Sequence, residues 1–303
     1  MPREVIVLGT ASQVPTRERS HNACLLRFDD HGILFDPGEG TQRQMLMAGA
    51  SASDIDRICI THFHGDHCLG LPGIIQRISL DGVEHEIPVH YPANGEEYYQ
   101  RLRHASSFYD RAPIVPAPVK QAGPIATGPF GTLYAQRLWH SVETFGYRLV
   151  EPDGRRMLPD GLAAAGISGP DVGVLQREGY FDTPGGRVTL EQMSTVRRGQ
   201  IVAYVMDTGV CAEAIELAAD ADLLIIEATF LPSETEIARY AGHLTAADAG
   251  RIAAEAGVRR LLLTHFSQRY ADTRPFADEA ARHFTGDIVL GTDLSRVTVP
   301  PRR

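Results

Sequence analysis

Short runs rich in Ile, Val and Leu recur along the chain, separated by segments in which apolar positions return every three to four residues. The runs EVIVLGT, ACLLRF, GILFDPG, DRICITHF, IPVHYP, LYAQRLWH, FGYRLV, QIVAYVMDTG, ADLLIIEATF, RRLLLTHF and GDIVLGTD have the length and branched content of strands. Between them, EGTQRQMLMAG, EEYYQRLRHAS, CAEAIELAAD, TAADAGRIAAEAG and PFADEAARHF predict helices. Thr245 stands as N-cap and Gly257 as C-cap of the fourth of these. Strands dominate the first half and alternate with helices in the second, which is the pattern of an α/β protein.

Residues 151–199 break this pattern. They are dense in Gly, Pro and Arg, and they read as an insertion projecting from a core otherwise spanning residues 1–303. Nearly fifty residues is long for a connection without structure of its own, so a functional arm is expected. The net charge of −9 offers a polyanion no global attraction, and any such partner must be met by local arginines, Lys120 being the only lysine. Cys24, Cys59, Cys68 and Cys211 form no CxxC pair and read as reduced core residues. No apolar run reaches membrane-spanning length, and MPREVIVLGT enters a strand almost at once, so no membrane association and a cytoplasmic location are expected.

The densest chemistry lies in THFHGDHCLGLPG. His62 and His64 are two apart on the extended continuation of a strand and share one side, Gly65 permits a bend, and Asp66 and His67 follow on the next segment. Two imidazoles beside a carboxylate and a third imidazole suit a pair of divalent ions, zinc being favoured by the nitrogen-rich set. Other strand-like runs end in His140, Asp207, Glu227 and His265. In α/β sheets ligands gather beyond the carboxyl ends of strands, so these side chains are candidates for one site. His243, just before a helix start, fits a proton donor on a leaving group, and Asp36 fits an orienting partner of a ligand. The spacing Gly38-x-Gly40 is too short for a phosphate loop.

These residues carry a resemblance. His62-x-His64-x-Asp66-His67 resembles the signature of the metallo-β-lactamase superfamily. LGTASQVPTRER, FDPGEGTQRQ, HSVETFGYRL, GPDVGVLQREG, EATF, HLT, LTHFSQRY and DLSRVTVP resemble, in order, the ribonuclease Z family of tRNA 3′-processing endonucleases. The resemblance implies a four-layered αβ/βα sandwich with the arm inserted between the His140 region and the Asp207 strand. It implies one zinc on His62, His64 and His140, a second on Asp66, His67 and His265, and Asp207 bridging both. Manganese or iron would be accepted by the same ligands. Asp66 would also take up a proton, His243 would protonate or stabilise the leaving oxygen, and Glu227 would orient His243. The implied reaction removes the 3′ trailer of precursor tRNA after the discriminator base and leaves a 3′-hydroxyl, in a homodimer whose arm grips tRNA through Arg155, Arg156 and Arg177. This chain reads MDTGVC where the family usually has Arg-Pro after its DT, which places Gly209 and Val210 there.

Three other readings stand beside this one. A phosphodiesterase of the same fold acting on small or cyclic diesters is motivated by the negative charge and the modest arm. A different hydrolase of the superfamily would leave HSVETFGYRL and HLT without use. A catalytically silent RNA-binding or scaffold subunit would be expected to have lost ligands, and none is missing.

Overall fold

The computed structural model describes residues 3–302. Two seven-stranded mixed sheets form its core. The first contains β1 (Glu4–Gly9), β2 (Ala23–Phe28), β3 (His31–Phe35), β4 (Arg57–Cys59), β5 (Ile87–Pro92), β6 (Ile114–Val119) and the last strand, β18 (Arg296–Thr298), in the order β18-β1-β2-β3-β4-β5-β6. The second contains β7 (Gly123–Gly128), β8 (Gly131–Leu138), β9 (Thr144–Val150), β14 (Ile201–Val205), β15 (Leu223–Glu227), β16 (Arg260–Thr264) and β17 (Asp287–Leu290), in the order β17-β16-β15-β14-β9-β8-β7.

Alternation along the strands builds the layers. In β14, Val202 and Tyr204 join the core between the sheets, while Ile201, Ala203 and Val205 join the core under the helices Ala212–Ala218, Ala246–Glu255 and Arg274–Ala281. On the first sheet, Ile6, Leu8, Leu25 and Leu34 face the helices Thr41–Met47, Leu71–Leu80 and Glu96–Arg103, while Val5, Val7, Leu26 and Phe35 face the second sheet. Phe35 and Tyr204 stack across the central layer at 4.5 Å. Strands buried on both faces must be apolar throughout, which is why they read as continuous runs. The result is the four-layered αβ/βα sandwich.

The five helices read from periodicity are present. Leu71–Leu80 and Thr235–Ala241 are among those that escaped that reading. Pro72 and Gly73 interrupt the pattern of the first at its start, and the second is exposed on most of its circumference, with Ala238 alone buried. Strands β6, with two prolines, and β7, with Gly and Pro, also escaped. Both lie at sheet edges, where a missing N–H is tolerated. Thr245 caps Ala246–Glu255 as expected, with Gly257 one position beyond the C-cap Ala256 in a left-handed backbone.

The chain divides into two compact units, one comprising the residues up to Val150 together with Ile201–Pro300, the other Glu151–Gln200 and the residues from Pro301. The smaller unit has structure of its own. It contains the ribbons β10 (Gly154–Met157) with β13 (Ser194–Arg197) and β11 (Tyr180–Thr183) with β12 (Gly186–Thr189), plus the helices Pro159–Ala164 and Pro170–Glu178, around Leu162, Ile167 and Leu175.

Candidate metal centre

Strands β3 to β6 are parallel, as are β14 to β16, and β8 runs in the direction of β14 because β9 is antiparallel to both. Their carboxyl ends therefore deliver side chains to shared edges of the sandwich. After β4, His62 and His64 lie on extended chain, and Gly65–Cys68 forms one helical turn carrying Asp66 and His67. His140 follows β8, Asp207 follows β14, Glu227 ends β15 and His265 follows β16.

The ligand atoms of His62, His64 and His140 lie within 4.8 Å of one another, as do those of Asp66, His67, Asp207 and His265. Asp207 Oδ2 stands 3.8 Å from His62 Nε2, 3.2 Å from His67 Nε2 and 3.4 Å from His265 Nε2, which places it between the groups. The far nitrogens of four rings are engaged. The Thr61 hydroxyl donates to Asp36 Oδ2 at 2.8 Å, so its contact with His62 Nδ1 at 3.0 Å makes that nitrogen the donor. By the same logic Thr229 donates to Glu227 at 2.6 Å and accepts from His265 Nδ1 at 2.8 Å. His67 Nδ1 donates to Asp36 at 2.9 Å, and His140 Nδ1 to the Gly242 carbonyl at 2.9 Å. Each of these rings in its neutral form turns an Nε2 lone pair inward.

That arrangement fits divalent metal. His62 Nε2 is 3.0 Å from His64 Nδ1, His64 Nδ1 is 3.3 Å from His140 Nε2, and His67 Nε2 is 3.1 Å from His265 Nε2. Lone pairs facing each other at such distances repel unless a cation or a proton lies among them. Asp207 Oδ1 is buried with no hydrogen-bond partner among the described residues, and a carboxylate so placed needs a cation. Burial and the neighbouring His67 hold His62 well below the usual histidine range. Burial opposes a charge on His67 too, but Asp207, Asp66 and Asp36 overcome it and hold that ring well above the range. Asp66 and Asp207 stay ionised against burial because His67 and His265 outweigh it. Imidazole and carboxylate together suit zinc, manganese or iron.

His243 lines the same cleft. Its Nδ1 is 3.0 and 3.1 Å from the two oxygens of Glu227, which also accept from the backbone N–H groups of Thr208 and Leu244 at 2.7 and 3.2 Å. Burial lowers the His243 pKa, yet Glu227 and Asp207 outweigh it and push it up to about 9. Asp36 is fully buried and accepts from Thr61 N, Thr61 Oγ1 and Tyr204 Oη besides His67. The expected ligands, Asp36, Glu227 and His243 thus share one site.

The chain bends at Gly65 as expected, though not through a left-handed backbone. The chain turns by passing from extended His64 into a helical turn, and a Cβ at 65 would lie 2.8 Å from the Leu69 side chain. Cys24, Cys59 and Cys68 are free and buried in the core as expected, whereas Cys211 is only half-buried. Within the site, left-handed non-glycine backbones occur at Asp36 and His265, with φ of 45° and 63°, and no feature of the sequence marks them. Thr61, Thr229 and Tyr204 were also missed. Their roles depend on which ring they meet, and residue type alone cannot show that. Arg155, Arg156 and Arg177 belong to the smaller unit. Arg155 and Arg156 are neighbours on β10, and Arg177 is exposed in the last turn of Pro170–Glu178. Arg155 faces Glu191 at 3.5 Å. Gly209 packs against the Trp139 ring, where a Cβ would come within 2.3 Å, so no arginine fits there with Trp139 in this position.

The metallo-β-lactamase superfamily model matches residues 16–189, and a β-lactamase superfamily domain model matches residues 186–266. Fold and site define a metal-dependent hydrolase of that superfamily. The chain is 59% identical over 301 residues to a ribonuclease Z of Salinispora arenicola, covering 99% of this chain and 97% of that protein. It is 57% identical over 302 residues to a ribonuclease Z of Streptomyces coelicolor, covering 99% of both. The structure of human tRNase Z, short form, superposes with a TM-score of 0.71 at 25% identity, covering 98% of this chain and all of that one. The chain belongs to the ribonuclease Z family and is a metal-dependent endoribonuclease.

Proposed function

We propose that this enzyme removes the 3′ trailer of precursor tRNA by one endonucleolytic cut after the discriminator base, leaving a 3′-hydroxyl. The full-length likeness to proteins named ribonuclease Z carries the reading. His62, His64 and His140 would hold one zinc, Asp66, His67 and His265 the other, with Asp207 serving both. Bound divalent ions supply Lewis acidity at the phosphate and lower the pKa of a water molecule toward about 7. The protein's own groups do the rest. Asp66 would help hold the second ion and take up the proton released by the attacking water. Glu227 accepts from Nδ1 of His243 and favours its protonated form, which would place Nε2 to give its proton to the departing 3′-oxygen. Arg155, Arg156 and Arg177 would meet tRNA phosphates, in a cytoplasmic homodimer. Among the described residues, no helix is long and apolar enough to cross a membrane.

One observation favours a second reading, a phosphodiesterase for small or cyclic diesters. In the smaller unit Arg155 and Arg187 face Glu191 and Asp182, which leaves less charge for a polyanion. Incubation with a precursor tRNA bearing a 3′ trailer, read at nucleotide resolution, separates the two. A single cut after the discriminator base, abolished by Asp66→Ala, supports the first. Absence of cleavage alongside good hydrolysis of a small chromogenic diester moves the assignment to the second. Metal analysis of purified protein should give close to two equivalents per chain.

A further inference from the structure

We infer that Trp139, Gly209 and Arg239 form a subsite for one unpaired nucleotide beside His243, with the indole as a stacking platform for its base. The inference rests on the RNA-cleavage reading above. Trp139 is the only tryptophan in the chain, and it sits next to the candidate ligand His140. A residue of this size is normally buried for its apolar area, yet Trp139 is 55% exposed. Its backbone is nonetheless held. The Trp139 carbonyl accepts from Gly209 N at 2.8 Å, and its N–H donates to Thr208 Oγ1 at 3.3 Å. The benzo part of the ring rests on Gly209, where any side chain would intrude.

Beyond the ring opens a cavity whose walls include Trp139, Val210, Arg239, Arg251 and His243. Arg251 is already paired with Asp248. Arg239 has no ion pair among the described residues, is exposed, and stands on the helix Thr235–Ala241 just before Gly242, whose carbonyl holds His140. The cavity thus combines a rigid aromatic surface, one uncommitted guanidinium and the proposed donor to the leaving oxygen. An aromatic surface takes any base, because every base has a π-face, and the guanidinium takes the attached phosphate. Sharing a wall with His243 assigns the subsite to the nucleotide whose 3′-oxygen departs.

The sole tryptophan reports directly on occupancy. A hairpin RNA with a single-stranded 3′ extension, blocked against cleavage by a phosphorothioate linkage, should quench its fluorescence saturably. With a cleavable precursor tRNA, Trp139→Ala should lower kcat/KM roughly 10- to 100-fold, mainly through KM, and Trp139→Phe should restore most of it. An abasic site at the nucleotide 5′ of the cut should cause a similar loss in the native enzyme and little further loss in Trp139→Ala. Arg239→Gln should weaken RNA binding and flatten its salt dependence by about one phosphate contact. Additive losses from the abasic site and Trp139→Ala, or an abasic effect only 3′ of the cut, overturn the subsite. If precursor tRNA is not cleaved at all, the substrate reading fails, and the fluorescence titration still decides this one: saturable quenching retains a nucleotide subsite, and unchanged emission removes it.

Discussion

Asp36 and His265 are non-glycine residues with left-handed backbones, and each touches the candidate metal site. Such a conformation costs about 1–3 kcal/mol and persists only where surrounding contacts over-determine it. Here Asp36 N donates to the Cys59 carbonyl at 2.9 Å, and Phe266 N to Thr10 at 2.8 Å, so both corners are tied to the first sheet. Thr229 shows how much one hydroxyl can organise, since it donates to Glu227 and accepts from His265. Thr229→Val should therefore lower metal affinity or activity about 10- to 100-fold while preserving the fold, as metal titration and circular dichroism would show. A second residue-scale effect lies away from the candidate metal centre. Burial and the neighbouring Arg57 push His90 down to about 3, against its ordinary 6.5, and Arg57 Nη1 lies 2.7 Å from His90 Nε2. The unfolded chain takes up this proton below 6.5 and the folded chain only near 3, so stability is lost as pH falls through that window. The loss at pH 5 is about 2 kcal/mol. Urea denaturation of His90→Gln between neutral pH and pH 5 should show an acid destabilisation smaller by that amount. An unchanged pH slope would refute the assignment.

At the scale of elements, parallel strands do the placing. β4, β8, β14, β15 and β16 each lead into a candidate ligand or its orienting partner, and the helical turn Gly65–Cys68 adds Asp66 and His67. Two glycines let that turn sit close. A Cβ on Gly38 would lie 2.2 Å from the Asp66 carbonyl, and one on Gly70 would lie 2.0 Å from the Gly38 carbonyl. This close approach explains the glycine at 38, which the sequence reading left without a phosphate role. Gly70→Ala should destabilise the protein by about 1–3 kcal/mol and lower its metal content, because the Asp66 turn must move outward. Denaturation and metal analysis on the same sample check both. Legibility at this scale follows burial. Strands covered on both faces are continuous apolar runs and were readable, whereas the edge strands β6 and β7 and the largely exposed helix Thr235–Ala241 bury too little to leave a pattern.

For the whole molecule, the smaller unit can be removed with little damage to the sheet. Val150 and Ile201, which flank it, are register partners in the antiparallel β9–β14 pair, so a tight turn could close the gap. With 151–200 replaced by such a turn, the ratio of precursor tRNA cleavage to small-diester hydrolysis should collapse, while thermal denaturation still shows one cooperative transition. An unchanged ratio would remove the arm from tRNA binding.

The sequence by itself determined the α/β class, the clustering of His62, His64, Asp66 and His67 as candidate ligands, and the strand endings at His140, Asp207, Glu227 and His265. Each of these is a local statement, made by burial on both strand faces or by spacing within a few residues. Only the tertiary structure decided that Asp207 lies between two groups of imidazoles, that Thr61 and Thr229 orient rings and that Trp139 rests on Gly209. Those contacts join residues from different strands. Sheet order and register set their distances, and neither is written in any single stretch of the chain.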